Sequence, residues 1–112
     1  MISLNGKVAI VTGTTADSIG RACALAMARA GAKVIVTGRN QKGGKATEKI
    51  IKDEGYSAIY VKHDVTSEKD WNNVVEVCIS NYGKLDILLN NSGESRGGPI
   101  EKINLEDLHF LL

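Results

Sequence analysis

The chain has 112 residues, 43% of them hydrophobic and 24% charged, with 14 Lys+Arg against 13 Asp+Glu. One domain with a core of its own fits that length, which is short for a complete α/β enzyme, and the charge balance lacks the basic excess that nucleic acid or an anionic membrane surface would attract. No apolar run approaches the roughly 20 residues that cross a bilayer, Met1 to Gly6 lacks the basic and apolar segments of a signal peptide, and Cys23 and Cys78 match neither a disulfide framework nor a zinc site, so a cytoplasmic protein with no membrane or nucleic-acid partner is expected.

In chain order, the β-branched run Val8 to Thr12 predicts a buried strand that stops at Gly13. Helical period resumes at Gly20, with Ile19, Ala22, Cys23, Ala26, Met27 and Ala30 as the apolar face and Arg21 and Arg29 toward solvent. Gly31 ends that helix, Lys33 to Thr37 is a second strand and Gly38-Arg39-Asn40 a turn. A second helix, Gln41 to Glu54, carries apolar Ala46, Ile50 and Ile51 and a solvated stripe of Lys42, Lys45, Lys49 and Lys52. After Gly55 comes a third strand, Ser57 to Lys62. Thr66-Ser67 cap a third helix, with Asp70 in its first turn and an apolar stripe of Trp71, Val74, Val75, Cys78, Ile79 and Tyr82. Asp86 to Asn90 is a fourth strand. Glu94 to Pro99 is a loop, and Asn104 caps a last helix with Leu105, Leu108 and Leu112.

Strands alternating with helices mean a parallel sheet with crossover helices. Right-handed crossovers predict strand order 3-2-1-4, half of a Rossmann-type doubly wound fold, with the first two helices on one face and the third on the other. Cys23 and Cys78 then sit on opposite faces as free thiols, beyond the ~7 Å Cα limit of a disulfide. The fourth strand, Ile87-Leu88-Leu89, is an apolar edge, and association through it into a homo-oligomer is expected.

A strand, a glycine turn and a helix start aim unpaired N–H groups and a positive dipole end at an anion. Here the turn runs Thr12-Gly13, then Thr14 to Asp17, then Ser18-Ile19-Gly20. It resembles the Thr-Gly-x-x-x-Gly-x-Gly fingerprint of the short-chain dehydrogenases/reductases, with one extra residue and Ser18 in place of the middle glycine. The resemblance implies that Gly13, Thr15, Ser18, Ile19 and Gly20 hold a dinucleotide. Ser18 has two readings: a hydroxyl donor to a phosphate, or the N-cap of the first helix.

Further matches lie at the carboxyl ends of the other strands, where ligands of such sheets bind. Arg39 follows the second strand, where an acidic residue would hold the ribose of NAD; a cation there suits the 2′-phosphate of NADP, and the alternative is a surface arginine. Asp17, if it faces that phosphate, opposes the preference. Asp64-Val65 resembles the family's Asp-Val at the adenine, and is otherwise a turn aspartate ahead of the third helix. Asn90-Asn91-Ser92-Gly93 resembles the family's Asn-Asn-Ala-Gly, which implies Asn91 and Gly93 beside the nicotinamide ribose and Asn90 tying strands together.

The family's catalytic tyrosine and lysine, four residues apart, have no counterpart: Tyr56, Tyr60 and Tyr82 are followed four residues on by Tyr60, Asp64 and Asp86. His63 and His109 read as incidental, and no metal spacing stands out. The expectation is therefore one dinucleotide-binding domain over residues 1–112, lacking its catalytic segment. Two function classes remain. One is the truncated cofactor half of an NADP-dependent oxidoreductase, acting on a small-molecule substrate only if the missing half is supplied. The other is a short protein that binds a dinucleotide or a partner without catalysis. The ending inside a helix, on Leu111-Leu112, favours the first.

Overall fold

A computed structural model of the chain describes residues 3–14 and 19–91. Its strands are β1 (Val8–Val11), β2 (Lys33–Gly38), β3 (Ala58–Lys62) and β4 (Ile87–Leu89). Its helices are α1 (Ile19–Arg29), α2 (Gln41–Asp53) and α3 (Glu68–Tyr82). The sheet order is β3-β2-β1-β4 with every pair parallel, the Rossmann-type arrangement that right-handed crossovers predict. Outside the described residues lie Thr15, Asp17 and Ser18 of the glycine turn, Gly93, the loop from Glu94 to Pro99, the helix expected after Asn104, and His109.

The alternation of side chains along β1 splits the core into two layers. Ala9 and Val11 pack with Ala24 and Ala28 of α1 and Ile51 of α2. Val8 and Ile10 pack with Val74 and Cys78 of α3 and with Leu88 of β4. The first two helices thus cover one face and the third the other, and Cys23 and Cys78 are free thiols on helices of opposite faces.

Local chemistry sets the helix ends. Asn40 caps α2, its side chain accepting from the Gly43 N–H at 2.9 Å. Ser67 caps α3 by accepting from the Asp70 N–H at 3.1 Å. Gly83 closes α3 in the left-handed region (φ 79°), its N–H returning to Ile79 O.

The helix faces differ from the expected ones. On α1 the buried residues are Gly20, Ala24 and Ala28, while Ala22 and Ala26 are exposed and Cys23 is half-buried. The inward line of Gly20, Ala24 and Ala28 carries nothing beyond a Cβ, which lets the helix axis come close to the sheet. Arg21 is not in solvent: its Nε donates to Thr47 Oγ1 at 2.8 Å and its Nη2 to Gly43 O at 3.3 Å. On α2, Ala46 is exposed, and Gly44 and Thr47 are buried beside Ile51. A Cβ on Gly44 would collide with the Tyr60 ring, so α2 approaches β3 there at backbone distance. Ile79 of α3 is 46% exposed, off the stripe that buries Val74 and Cys78. The lysine stripe of α2 is exposed as expected; three of its members pair with acids of the same helix, Lys45 and Lys52 with Glu48, and Lys49 with Asp53.

Candidate functional site

Four chain segments leave the sheet at its carboxyl edge: Thr12 to Thr14 after β1, Arg39-Asn40 after β2, His63 to Val65 after β3, and Asn90-Asn91 after β4. Order reversal places the ends of β1 and β4 at the switch point of the sheet, where such folds open a crevice.

Thr12 laces that point. Its Oγ1 donates to Asn90 Oδ1 at 2.9 Å and accepts from the Asn91 N–H at 2.8 Å, and its N–H reaches Leu89 O at 3.0 Å. Asn90 therefore ties β4 to β1. Gly13 then turns the chain at φ 67°, a conformation side chains oppose. Gly20 comes back against this turn: a Cβ there would run into the Gly13 carbonyl and the Asn91 side-chain amide. So Gly13, Gly20 and Asn91, expected at one ligand from three separate segments, do meet. Ile19, the first residue of α1, stands beside them with 74% of its surface exposed.

Thr14 anchors the exit of β1. Its N–H and Oγ1 both donate to Thr37 O, at 3.1 and 3.0 Å, and its own carbonyl accepts from the buried Thr47 hydroxyl at 2.5 Å. Through Thr47 this anchor continues to Arg21.

Arg39 is exposed at the end of β2, and its charge acts on Asp64 across the gap to β3. Asp64 folds an Asx turn: Oδ1 accepts from Thr66 Oγ1 at 2.6 Å and from Thr66 N at 2.9 Å. Those two bonds, with Arg39 adding a smaller attraction, hold its carboxyl below the usual range and keep it an anion. Its own N–H donates to Asp70 Oδ2 at 2.8 Å. Val65 O accepts from Trp71 Nε1 at 2.8 Å. Both expected residues of this loop are thus fixed from below by the first turn of α3.

His63, read from sequence as incidental, is 1% exposed and bonds Thr37 Oγ1 through Nδ1 at 2.9 Å. Burial pushes its pKa down, partly opposed by Asp70 and Asp64. Sequence reasoning missed Thr37, Thr47 and His63. For His63 a signal existed: Ile59 and Val61 face the α3 layer, and the period of two carries residue 63 to the same side.

The profile described as short chain dehydrogenase matches residues 7–111. The chain belongs to the short-chain dehydrogenase family. It is 35% identical to an uncharacterized oxidoreductase of Bacillus subtilis over 94% of this chain and 29% of that one. Among solved structures, a hydroxysteroid dehydrogenase from Escherichia coli superposes with a TM-score of 0.79 at 39% identity, covering 87% of this chain and 40% of that one. A variant of actinorhodin polyketide ketoreductase solved with NADPH gives 0.77 at 31% identity, covering 98% and 42%. This short-chain dehydrogenase chain thus spans well under half the length of these relatives. Among its described residues no helix is long and apolar enough to cross a membrane.

Members of the family bind nicotinamide dinucleotides, and the residues present fit one. Gly20, by lacking a Cβ, lets the start of α1 pack against the Gly13 turn, Ile19 offers an apolar side chain at the helix start, and Asp64 offers an anionic acceptor.

Proposed function

We propose that this chain is the cofactor-binding part of an NADP-dependent short-chain oxidoreductase that transfers hydride between a carbonyl and an alcohol. The observation that carries this reading is the meeting of Gly13, Gly20 and the Asn91 side-chain amide at the switch point, with the start of α1 held against the turn that follows β1. A bound dinucleotide supplies the hydride from its nicotinamide ring. The chain's own residues bind and orient: the α1 N-terminus, Gly13, Thr15, Ser18 and Gly20 take the phosphates, Ile19 excludes water, Asp64 and Val65 take the adenine, and Asn91 and Gly93 take the nicotinamide ribose.

Preference for NADP over NAD rests on Arg39. Its place at the end of β2, and its reach toward the region of Asp64, suit a 2′-phosphate. A charge-assisted hydrogen bond contributes about 1.5–3 kcal/mol, so Arg39→Ala should weaken NADPH roughly tenfold to hundredfold and leave NADH nearly unchanged. Titration of both cofactors by fluorescence or calorimetry reads this; equal affinities in the unmodified chain would overturn the preference.

The reading extends to a cytoplasmic protein that acts on a small-molecule substrate once a segment carrying the catalytic tyrosine and lysine is joined to it, and that associates through the β4 edge. β4 pairs with β1 on one side and, among the described residues, with no strand on the other. A second reading, a dinucleotide-binding protein without catalysis, is favoured by one feature: the 112 residues contain no Tyr-x-x-x-Lys.

A further inference from the structure

His63 is held on three sides. Nδ1 bonds Thr37 Oγ1 at 2.9 Å, its backbone N–H donates to Gly38 O at 3.1 Å, and its ring meets Trp71 edge to face with centroids 4.2 Å apart and planes at 82°. Nε2 is buried and, among the described residues, has no hydrogen-bond partner. A buried nitrogen left unpaired carries a desolvation cost that leucine in the same slot would not. Packing alone therefore does not account for an imidazole at this position. What leucine could not supply is the bond to Thr37.

Both neighbours of the ring carry segments of the dinucleotide site. Thr37 lies two residues before Arg39, and its carbonyl receives both donors of Thr14 at the start of the glycine turn. Trp71 holds Val65 O. Asp64 is the next residue after His63 itself. One buried side chain, 1% exposed, thus links the turn after β1, the Arg39 turn and the Asp64-Val65 loop.

We propose that His63 is a positioning residue for the adenosine half of the dinucleotide. By bonding Thr37 and bracing Trp71 it fixes the spacing between Arg39 and the Asp64-Val65 loop, so that both engage one ligand without reordering. The proposal rests on the dinucleotide reading above. Its cost of failure falls on the adenosine end alone, because the nicotinamide-side residues are laced separately through Thr12.

The test measures affinity of the intact chain for adenosine 2′,5′-bisphosphate and for NADPH, at a temperature where circular dichroism shows every variant fully folded. His63→Leu and Thr37→Val should each weaken both probes about fivefold, the weight of one neutral hydrogen bond. The double variant should be no weaker than either single one, since both remove the same bond. His63→Asn, which keeps a polar atom near the Nδ1 position, should recover most of the loss. A purely structural role would lower the melting temperature and leave these affinities alone. Thr37→Val reads the bond from its other end, so the comparison does not depend on His63→Leu folding. Unchanged affinity in both single variants, or additive losses in the double, overturns the positioning role while the dinucleotide reading stands. An unmodified chain that binds neither probe overturns the dinucleotide reading and this inference with it.

Discussion

At the scale of residues, the site depends on what is missing as much as on what is present. Gly20 works by lacking a Cβ, so Gly20→Ala must push apart the Gly13 carbonyl and the Asn91 amide. We expect a loss of about 1–3 kcal/mol in denaturant unfolding, typical of overpacking, together with a loss of NADPH affinity that Ala24→Gly on the same helix face would not reproduce. His63 sets a pH dependence. Burial lowers its pKa from the ordinary 6.5, so as pH falls below that value the unfolded chain takes up a proton that the folded one refuses. Stability should be flat above about pH 7 and decline from there toward pH 5; His63→Leu should flatten that decline in urea midpoints taken across the range. Asp64 and Asp86 act in a lower window. Their carboxyls are held down by Thr66 and by the Val8 N–H respectively, so their contribution disappears only as pH drops through the carboxylate range.

At the scale of elements, strands and helix ends were legible and helix faces were less so. Strand runs, glycine stops and the Ser67 cap follow from local chemistry, and each element among the described residues agrees with its expected span to within a residue or two. The face of α1 did not follow, because nearly every residue from Ala22 to Ala28 is apolar and hydrophobic period has nothing to distinguish. The inward line Gly20, Ala24 and Ala28, set by the one glycine at its head, lets the helix sit close enough for Gly20 to reach the turn. On α2 the same preference for close approach buries Gly44 and Thr47 over Ala46, and Thr47 has a second reason, its bond to the Thr14 carbonyl. The strand alternation through Ile59 and Val61 says only that His63 faces inward; its meaning depends on Thr37, 26 residues away. For α3, Ser67→Ala should cost about 1 kcal/mol in chemical denaturation and Ser67→Asp much less, because an aspartate still accepts from the first-turn N–H groups and favours the dipole.

At the scale of the whole molecule, strand order was legible because right-handed crossovers restrict the layouts and the glycine turn selects, among those left, the dinucleotide-binding order. Of the family's catalytic pair, the 112 residues show no Tyr-x-x-x-Lys. On the reading proposed above, the 112 residues by themselves forgo general acid catalysis worth about 10²–10⁴-fold, and the purified chain is expected to show no NADPH oxidation with ketone or acyl substrates. A measurable rate would overturn that. Association through β4 is best read by dilution in sedimentation experiments, since Leu88 is only 5% exposed within the protomer and a lysine there would test folding instead. A dimer or larger species at micromolar concentration is expected; a folded monomer throughout the series would remove the β4 edge from consideration.

The lacing of β4 to β1 also governs the order in which the chain can fold. Val8 N donates to Asp86 Oδ2, and Asp86 N to Val8 O, across 78 positions of sequence. The pairing of β1 with β2 closes far shorter loops, from Val8 to Lys33 onward. Closing the longer loop carries the greater entropy cost and comes after nearer contacts exist to repay it. The ribbon β3-β2-β1 with α1 and α2 therefore assembles first, and β4 docks last, carrying Asn90 and Asn91 with it. Pulse-labelled hydrogen exchange during refolding should find the β1–β2 amides protected before those of β4. The crevice for the dinucleotide then exists only after the final step, so a ligand added early should leave the folding rate unchanged and slow unfolding instead.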